Sequence, residues 1–333
     1  MRVDRTAALE RLVAMLKAAA PEAVSGVLLS DRMGVSRTAV WKQIATLRRL
    51  GYRIESAPRL GYRLTGSPDR FYPWEVRDGL HSLRFGQAVH YFDATGSTQD
   101  EARRLAETGA PEGALVIAEQ QRAPRGRLGR SYFTPPGGLW FSLLLRPRRT
   151  PEEVIALSLL AAVGVHRAIE AVTGLRATVK WPNDLLLDGR KAVGILVELL
   201  SEQDVLRYAV VGVGVNANLR ADDFPAELRA TATSLRETMG REVSRLSLLR
   251  RTLEHMETLY DDYLAQGPGP ILAAWRSLPS VLGQQVQVDD LRQTWEGVAI
   301  DLDEDGALLV RTAEGSVRRV LAGDVRPLIR KAS

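Results

Sequence analysis

The pattern of apolar and polar positions divides the chain into three parts. The first begins with "RTAALERLVAMLKAAA", in which Leu9, Leu12, Val13 and Leu16 recur at helical spacing. Two short segments follow, "SGVLLSDRM" and "SRTAVWKQIATLRRL". Each begins with a serine that can cap a helix, and each is followed by a glycine that can end one. Two short helices joined by a turn that contains glycine predict a helix-turn-helix.

The second of these short helices carries the apolar stripe Val40, Ile44 and Leu47, which we expect to be buried. The next segment, "YRIESAPRLGYRLT", alternates apolar and polar residues around a Pro/Gly turn, which is typical of a β-hairpin. Residues 1–66 are therefore predicted to form a winged helix-turn-helix domain. The alternative left open is a small helical domain with a solvated basic face.

The rest of the chain is predicted to form two further domains after a linker at "GSP", residues 66–68. Residues 70–275 mix strand-like runs such as "GALVIAEQQ" and "GLWFSLLLRP" with long helical patterns, without strict alternation. This order predicts a central α+β domain with a mixed sheet and helices packed on one side. Short alternating strands around a "DEDG" turn in residues 280–333 predict an SH3-like β-barrel. The predicted fold class is multidomain α+β.

The charge of the chain is concentrated in the first part. Residues 1–66 carry twelve Lys and Arg against five Asp and Glu, a net of +7, whereas the remaining residues carry 33 against 35, a net of −2. A local basic excess indicates a polyanion partner, and with a helix-turn-helix this partner is DNA. The N-terminal residues of a recognition helix face base edges, so base contacts are expected from Arg37, Thr38 and Lys42. Phosphate contacts are expected from four arginines: Arg48, Arg49, Arg53 and Arg59. Trp41 is ambiguous, and such a residue more often packs.

Several kinds of chemistry are excluded by what the sequence lacks. The absence of cysteine excludes disulfides, thiolate zinc sites and cysteine nucleophiles, and the four histidines show no metal spacing. No P-loop, complete dinucleotide fingerprint or Gly-x-Ser-x-Gly elbow is present, so nucleophilic catalysis by a side chain is unsupported. Because we find neither a leader-like start nor about 18 consecutive apolar residues, we expect a cytoplasmic protein without a membrane partner.

Four stretches of the middle part are not explained by packing. In "GSTQ", Ser97 and Thr98 either cap a helix or bind a neutral ligand group. The arginine loop, residues 122–130 with the sequence "RAPRGRLGR", combines glycines that admit close approach with forked donors for phosphate or carboxylate. In "KWPNDLLLDGRKAVGILVE", Asp184 is one carboxylate and so a poor metal site alone, and Lys191 either caps a strand or faces an anion. The Gly-x-Gly of "VGVGVNAN" is a weak signal.

These stretches, taken in order, resemble the family of bifunctional biotin protein ligases and biotin operon repressors. The family's arginine–glycine loop is similar to "PRGRLGR", and its two lysine motifs are similar to "KWPND" and "RKAVGILVE". The resemblance covers essentially the whole chain. It implies formation of biotinyl-5′-AMP from biotin and ATP with Mg²⁺, followed by transfer of biotin to a lysine of a biotin carboxyl carrier protein. It also implies a homodimer, formed when the protein is loaded with biotinyl-AMP, that binds operator DNA.

The same resemblance assigns roles to residues of the middle part. The predicted catalytic residues are Lys191, Arg127 and Arg125. The predicted biotin-binding residues are Ser97, Thr98, Gln121, Arg125, Arg127, Lys191, Gly194, Gly212 and Gly214. The predicted ATP-binding residues are Arg127, Tyr132, Lys180, Asn183 and Asn216. Asp184 is the predicted magnesium ligand.

Two departures from the family pattern leave roles in doubt. Pro124 replaces the first glycine of the loop, which removes an N–H and restricts the backbone. Gln99 replaces the usual asparagine after Ser-Thr. Three rival interpretations remain: a lipoate ligase, a biotin-sensing repressor without catalysis, and a ligase whose N-terminal domain does not bind DNA.

Overall fold

The computed structural model describes residues 2–57, 60–147, 154–202, 205–290 and 293–328. The chain divides into two compact units, residues 1–70 and residues 71–333.

The first unit is built from three helices and a hairpin. Its elements are α1 (Arg2–Ala19), α2 (Gly26–Met33), α3 (Arg37–Arg49), β1 (Arg53–Ala57) and β2 (Gly61–Gly66), with β1 and β2 antiparallel. The two predicted caps are present, because Ser25 accepts a hydrogen bond from the Leu28 N–H at 3.1 Å and Ser36 accepts one from the Ala39 N–H at 3.2 Å. Gly34 adopts a left-handed φ of 67° between α2 and α3. The predicted helix-turn-helix with a hairpin is therefore confirmed.

The second unit is organised around a seven-stranded mixed sheet. Its strands are β3 (Val89–Phe92), β4 (Leu115–Ala118), β5 (Leu139–Leu145), β6 (Thr178–Lys180), β7 (Asp184–Leu187), β8 (Arg190–Glu202) and β9 (Val205–Val215). They lie in the order β3-β4-β5-β9-β8-β7-β6, with β3 and β4 parallel and the other neighbours antiparallel. The predicted strand "ATVKWPNDLLL" is broken, because a turn separates β6 from β7.

Helices cover both faces of this sheet, so the prediction of helices on one side is wrong. The helices of the unit are α4 (Pro73–Arg77), α5 (Thr98–Glu107), α6 (Val154–Thr173), α7 (Leu235–Met239), α8 (Arg245–Gln266) and α9 (Gly269–Arg276). Leu115 and Ile117 of β4 join the large core that contains α6, α8 and α9, whereas Val116 packs on Ala102 and Ala106 of α5. The small alanine stripe of α5 lets this helix lie close to the second face.

Helix α6 is long and apolar enough to cross a membrane by length and composition alone, over Ile155–Thr173 with a mean hydropathy of 1.6. About 72% of this window is buried inside the protein, so core packing accounts for its apolar character.

The last part of the chain forms a five-stranded antiparallel sheet. Its strands are β10 (Gln285–Asp289), β11 (Thr294–Leu302), β12 (Leu308–Thr312), β13 (Val317–Val320) and β14 (Asp324–Pro327), in the order β13-β12-β11-β10-β14. The predicted turn between β11 and β12 is present. This sheet shares the core of the larger sheet, and the Trp181 Nε1–H donates to the Gly306 carbonyl at 3.0 Å. The predicted domain boundaries stay predictions.

Candidate active site

Glycines open a cavity of about 160 Å³ over the centre of the large sheet. Gly194 of β8 pairs with Gly214 of β9, and Gly212 lies two residues earlier on β9. A Cβ atom at Gly214 would lie 2.6 Å from Cε1 of Tyr132, and one at Gly212 would lie 3.0 Å from Cδ of Gln99. Side chains at these positions would therefore fill the space, and glycine leaves the backbone as the floor of the cavity.

One end of this cavity is neutral and polar. The Thr98 N–H and hydroxyl both donate to Gln121 Oε1, at 2.8 and 3.1 Å, and Ser142 donates to the Thr98 hydroxyl at 2.8 Å. Ser97 stands at the N-cap of α5, yet its hydroxyl caps nothing and is buried without a hydrogen-bond partner among the described residues. A buried hydroxyl without a partner costs free energy. This favours the ligand-binding interpretation of the Ser-Thr pair over the capping one.

Gln99 lines the cavity beside its glycine floor. Its side chain is buried, and its Nε2 donates to the carbonyls of Leu196 at 3.3 Å and Val210 at 3.5 Å. The residue that departs from the family pattern thus ties α5 to strands β8 and β9.

The other end of the cavity is charged. Lys191 Nζ lies 2.7 Å from Asp184 Oδ1, and Lys180 Nζ lies 3.8 Å from Asp184 Oδ2. Arg127 reaches the same region from the arginine loop and donates to Asn183 Oδ1 at 3.0 Å. Burial lowers the pKa of Arg127 from its ordinary value, against the opposing charges of Asp184 and Asp324. Several cationic donors therefore converge on one point, as an anionic reaction centre requires.

Tyr132 separates this cavity from a second one of about 740 Å³ and lines both. Its hydroxyl donates to the Gly214 carbonyl at 3.1 Å, and Lys191 Nζ lies 5.4 Å from the ring centroid. Burial raises the pKa of the phenol, so the hydroxyl is a donor at neutral pH. The two cavities share six lining residues, which we call the junction: Arg130, Ser131, Tyr132, Asp184, Lys191 and Asp324.

The sequence analysis missed Asp324, which β14 carries into the junction. Its Oδ1 lies 2.8 Å from Lys180 Nζ, and its Oδ2 lies 3.7 Å from Nη1 of Arg130. Burial alone would raise the pKa of Asp324, but hydrogen bonds and charge from Lys180 and Arg326 outweigh burial and lower the pKa to about 2. The sequence signal for Asp324 is a Gly-Asp pair at the start of β14, and such a pair is equally typical of an ordinary turn.

Comparisons with known proteins agree with this geometry. The model of the "Biotin/lipoate A/B protein ligase family" matches residues 91–216, an "HTH domain" model matches residues 8–63, and the "Biotin protein ligase C terminal domain" model matches residues 281–326. The bifunctional ligase/repressor BirA of Bacillus spizizenii is 40% identical over 94% of this chain and 97% of its own length. The chain belongs to the biotin protein ligase family.

Other relatives of this ligase support the same conclusion. The bifunctional ligase/repressor BirA of Escherichia coli is 29% identical over 95% of both chains. The solved biotin protein ligase from Aquifex aeolicus in complex with biotin and ATP has a TM-score of 0.62 at 30% identity, covering 72% of this chain and 97% of that one. The predicted family, fold class and enzyme class are confirmed. The C-terminal model and these relatives favour a biotin ligase over a lipoate ligase.

The structure brings every predicted residue of the middle part to one of the two cavities. The whole predicted biotin-binding set lines the first cavity, together with Tyr132, Asn183 and Asp184. Lys180 and Asn216 line the second. The Asn216 amide is held by the backbone, because its Nδ2 donates to the carbonyls of Lys191 at 3.3 Å and Thr233 at 2.9 Å. The individual roles stay predictions.

Arg125 is turned toward protein carboxylates. Its guanidinium donates to Asp100 at 2.6 and 3.0 Å and lies 3.7 Å from Glu198, and this hydrogen-bonded pair lowers the pKa of Asp100. The arginine loop also folds back on itself, since the Gly126 N–H donates to the Arg130 carbonyl at 2.7 Å. Arg125 therefore anchors the loop to the first turn of α5.

The predicted DNA-binding residues divide into two sets in the first unit. Arg37, Thr38 and Lys42 are exposed along α3, as a base-reading surface requires. Arg48 is engaged within the unit, because its Nε donates to the Ile54 carbonyl at 2.9 Å and its Nη2 donates to the Ser56 hydroxyl at 2.8 Å. Three arginines complete the predicted phosphate contacts: Arg49 and Arg53, which are exposed, and Arg59, which lies outside the described residues.

Proposed function

We propose that the two cavities hold biotin and ATP, and that the junction is where biotin is activated. The observation that supports this proposal is that a neutral polar cavity and a larger cavity meet at one cluster of charged groups. In this proposal a biotin carboxylate oxygen forms a bond to the α-phosphorus of ATP, and the bond to the β-phosphate breaks. The products are biotinyl-5′-AMP and pyrophosphate. The amine of a carrier-protein lysine then attacks the acyl carbon, and AMP leaves.

The first cavity suits the ureido head of biotin at its neutral end. This head offers both donors and an acceptor, and the buried Ser97 hydroxyl has no partner within the part of the chain that the structure describes. Thr98 and Gln121 stand beside it, and the glycine floor leaves room for the fused bicyclic ring system. The valeryl carboxylate would then extend toward the charged end of the cavity, where Lys191 lies.

The second cavity suits the nucleotide. Its far wall is apolar, with Phe224, Leu228 and Ala232, and Tyr132 closes it on the other side. An adenine ring needs apolar and aromatic faces, whereas the phosphates need cations. Lys180 and Arg130 supply those cations at the junction end.

Catalysis at the junction is proposed to be electrostatic. The reaction develops negative charge on phosphoryl oxygens, so fixed cations such as Lys191 and Arg127 stabilise its transition state. No side-chain nucleophile is required, because the carboxylate of biotin is itself the nucleophile.

Mg²⁺ is proposed to enter with ATP as part of the nucleotide substrate. Within the described part of the chain, no three His, Cys, Asp or Glu side chains come together as a metal centre. Asp184 offers one carboxylate oxygen ligand, and two lysines lie beside it, so a magnesium ion there would be held mainly by phosphates with Asp184 as one protein ligand. Bound there, Mg²⁺ would neutralise phosphate charge.

The first unit is proposed to make the ligase a biotin-responsive repressor in the cytoplasm. Its exposed basic residues would contact operator DNA, and biotinyl-AMP would promote a homodimer that spans two half-sites. The net charge of +7 in residues 1–66 supports this proposal over a ligase whose N-terminal domain does not bind DNA.

The ligase proposal is tested with purified protein, biotin, ATP, Mg²⁺ and a biotin carrier domain. We expect biotin on the lysine of the carrier domain and biotin-dependent release of pyrophosphate. Omission of ATP, and a carrier domain with its lysine changed to arginine, are the matched controls. Absence of both label and pyrophosphate would refute the proposal.

The coupling to DNA is tested by measuring DNA affinity and oligomeric state with and without biotinyl-AMP. We expect tighter binding and dimers with the adenylate, and a steep dependence of affinity on salt concentration. Equal affinity in both states would refute the coupling.

A further inference from the structure

The first unit presents an exposed tryptophan where a core residue is more usual. The Trp41 side chain is 58% exposed on α3, whereas Trp74, Trp140, Trp181 and Trp275 are buried in the second unit. The core of the first unit does not need Trp41, because the buried stripe of α3 consists of three other residues: Val40, Ile44 and Leu47.

Trp41 lies in the centre of the exposed basic face of α3. Arg37 and Thr38 precede it by one helical turn, and Lys42 follows it directly. Residues separated by three or four positions share one helix face, so the indole is flanked by the predicted base-reading side chains. Trp41 also forms one wall of a groove of about 660 Å³, whose other sides include Val27 of α2 and Tyr62 of the hairpin.

We propose that Trp41 is a specificity residue that reads thymine by apolar contact with its 5-methyl group. This inference rests on the proposed binding of operator DNA by the first unit. The N-terminal part of a recognition helix enters the major groove. The thymine methyl is the apolar group that base edges present there, so it is the group that an exposed indole can recognise.

Charge identifies DNA as the occupant of this face. Apolar protein surface would also suit Trp41, but Arg37 and Lys42 would then have to pack against that surface as well. A second copy of the same face would bring like charges together, at a cost in free energy. A DNA duplex instead offers these cations acceptor atoms on its base edges and the negative field of its phosphates.

The experiment uses the full chain loaded with biotin and ATP and a library of random-sequence DNA duplexes. Wild type, Trp41→Ala, Trp41→Phe and the control Leu28→Ala each select their preferred duplexes. Leu28 is a suitable control because it is an exposed apolar residue, 41% exposed on α2, that does not line the groove. The best wild-type duplex is then remade with each thymine replaced singly by deoxyuracil, which removes only the methyl group.

For wild type and Leu28→Ala, we expect deoxyuracil at one thymine in each half-site to weaken binding about fourfold, the effect of one buried methyl group. Trp41→Ala should bind more weakly, lose preference at that base pair and become insensitive to the same replacement. Trp41→Phe should retain part of the effect. The salt slope should stay that of wild type, because no phosphate contact is removed. A changed slope, or unfolding at a lower temperature than wild type, would indicate a structural role and contradict the proposal.

Three other results would also overturn it. In the first, wild type binds equally well with deoxyuracil at every thymine. In the second, Trp41→Ala keeps the wild-type base preference and the wild-type sensitivity to deoxyuracil. In the third, the Trp41 substitutions change only the self-association of the protein. Failure of wild type to enrich any sequence is a different result, because it removes the proposal that the first unit binds operator DNA.

Discussion

Replacement of Asp324 by asparagine tests the charge balance of the junction. The pKa of about 2, against an ordinary value of 3.8, corresponds to about 2 kcal/mol of folding free energy at pH 7. Because the folded pKa lies below the unfolded one, this contribution is complete well above pH 4 and is lost as pH falls toward 2. At pH 3 about 1 kcal/mol remains. Asp324→Asn should therefore lower the free energy of unfolding by about 2 kcal/mol at neutral pH, and this decrease should become smaller as the pH is lowered.

The assay is urea unfolding followed by tryptophan fluorescence, which reports mainly on the second unit because five of the six tryptophans lie there. The matched control is Asp305→Asn in the turn between β11 and β12, whose ion pair with Arg319 is exposed and should be worth less than about 1 kcal/mol. If Asp324→Asn lowers the free energy of unfolding at pH 7 no more than the control does, the reasoning is refuted. A difference in unfolding free energy between wild type and Asp324→Asn that grows as the pH falls would also refute it.

Three further predictions concern the proposed substrate cavities. Lys191→Ala should slow biotin-dependent pyrophosphate release by about 100-fold or more, and a wild-type rate would contradict its role. Gly214→Ala should raise KM for biotin at least about tenfold, because its Cβ meets the ring of Tyr132 at 2.6 Å. Gly269→Ala, whose Cβ meets no atom within 4 Å, is the control and should leave KM unchanged. Asp100→Asn should speed tryptic cleavage of the arginine loop several-fold by releasing Arg125, and an unchanged rate would show that the pair does not anchor the loop.

Local sequence patterns were enough to predict the helices and the hairpin of the first unit. The caps at Ser25 and Ser36 and the stripe around Ile44 follow from rules that act within a few residues, and each prediction is confirmed. The second helical layer on the large sheet was not predicted. The covering residues of α5 are alanines, and their short side chains give a weak apolar signal although they allow close packing.

The residues of the site were easier to name than to orient. Motifs placed Arg125 and Arg127 on the same loop, but spacing in the sequence does not state which side chain each arginine contacts. Tertiary structure decides this: Arg125 meets Asp100 and Arg127 meets Asn183. Asp324 was missed because it comes from the C-terminal sheet, far along the chain from the other residues of the junction.

The surroundings of Asp184 change the argument for this residue. The sequence presented one carboxylate, a poor metal site alone, and only the family resemblance assigned a magnesium ion to it. The structure places Lys191 at 2.7 Å and Lys180 at 3.8 Å, so the carboxylate also holds two cationic donors in position. An ammonium group carries three donors and can contact Asp184 and a substrate oxygen together. We therefore propose that Asp184 orients Lys191 in the electrostatic reaction centre, and that this contribution does not depend on any metal that ATP brings.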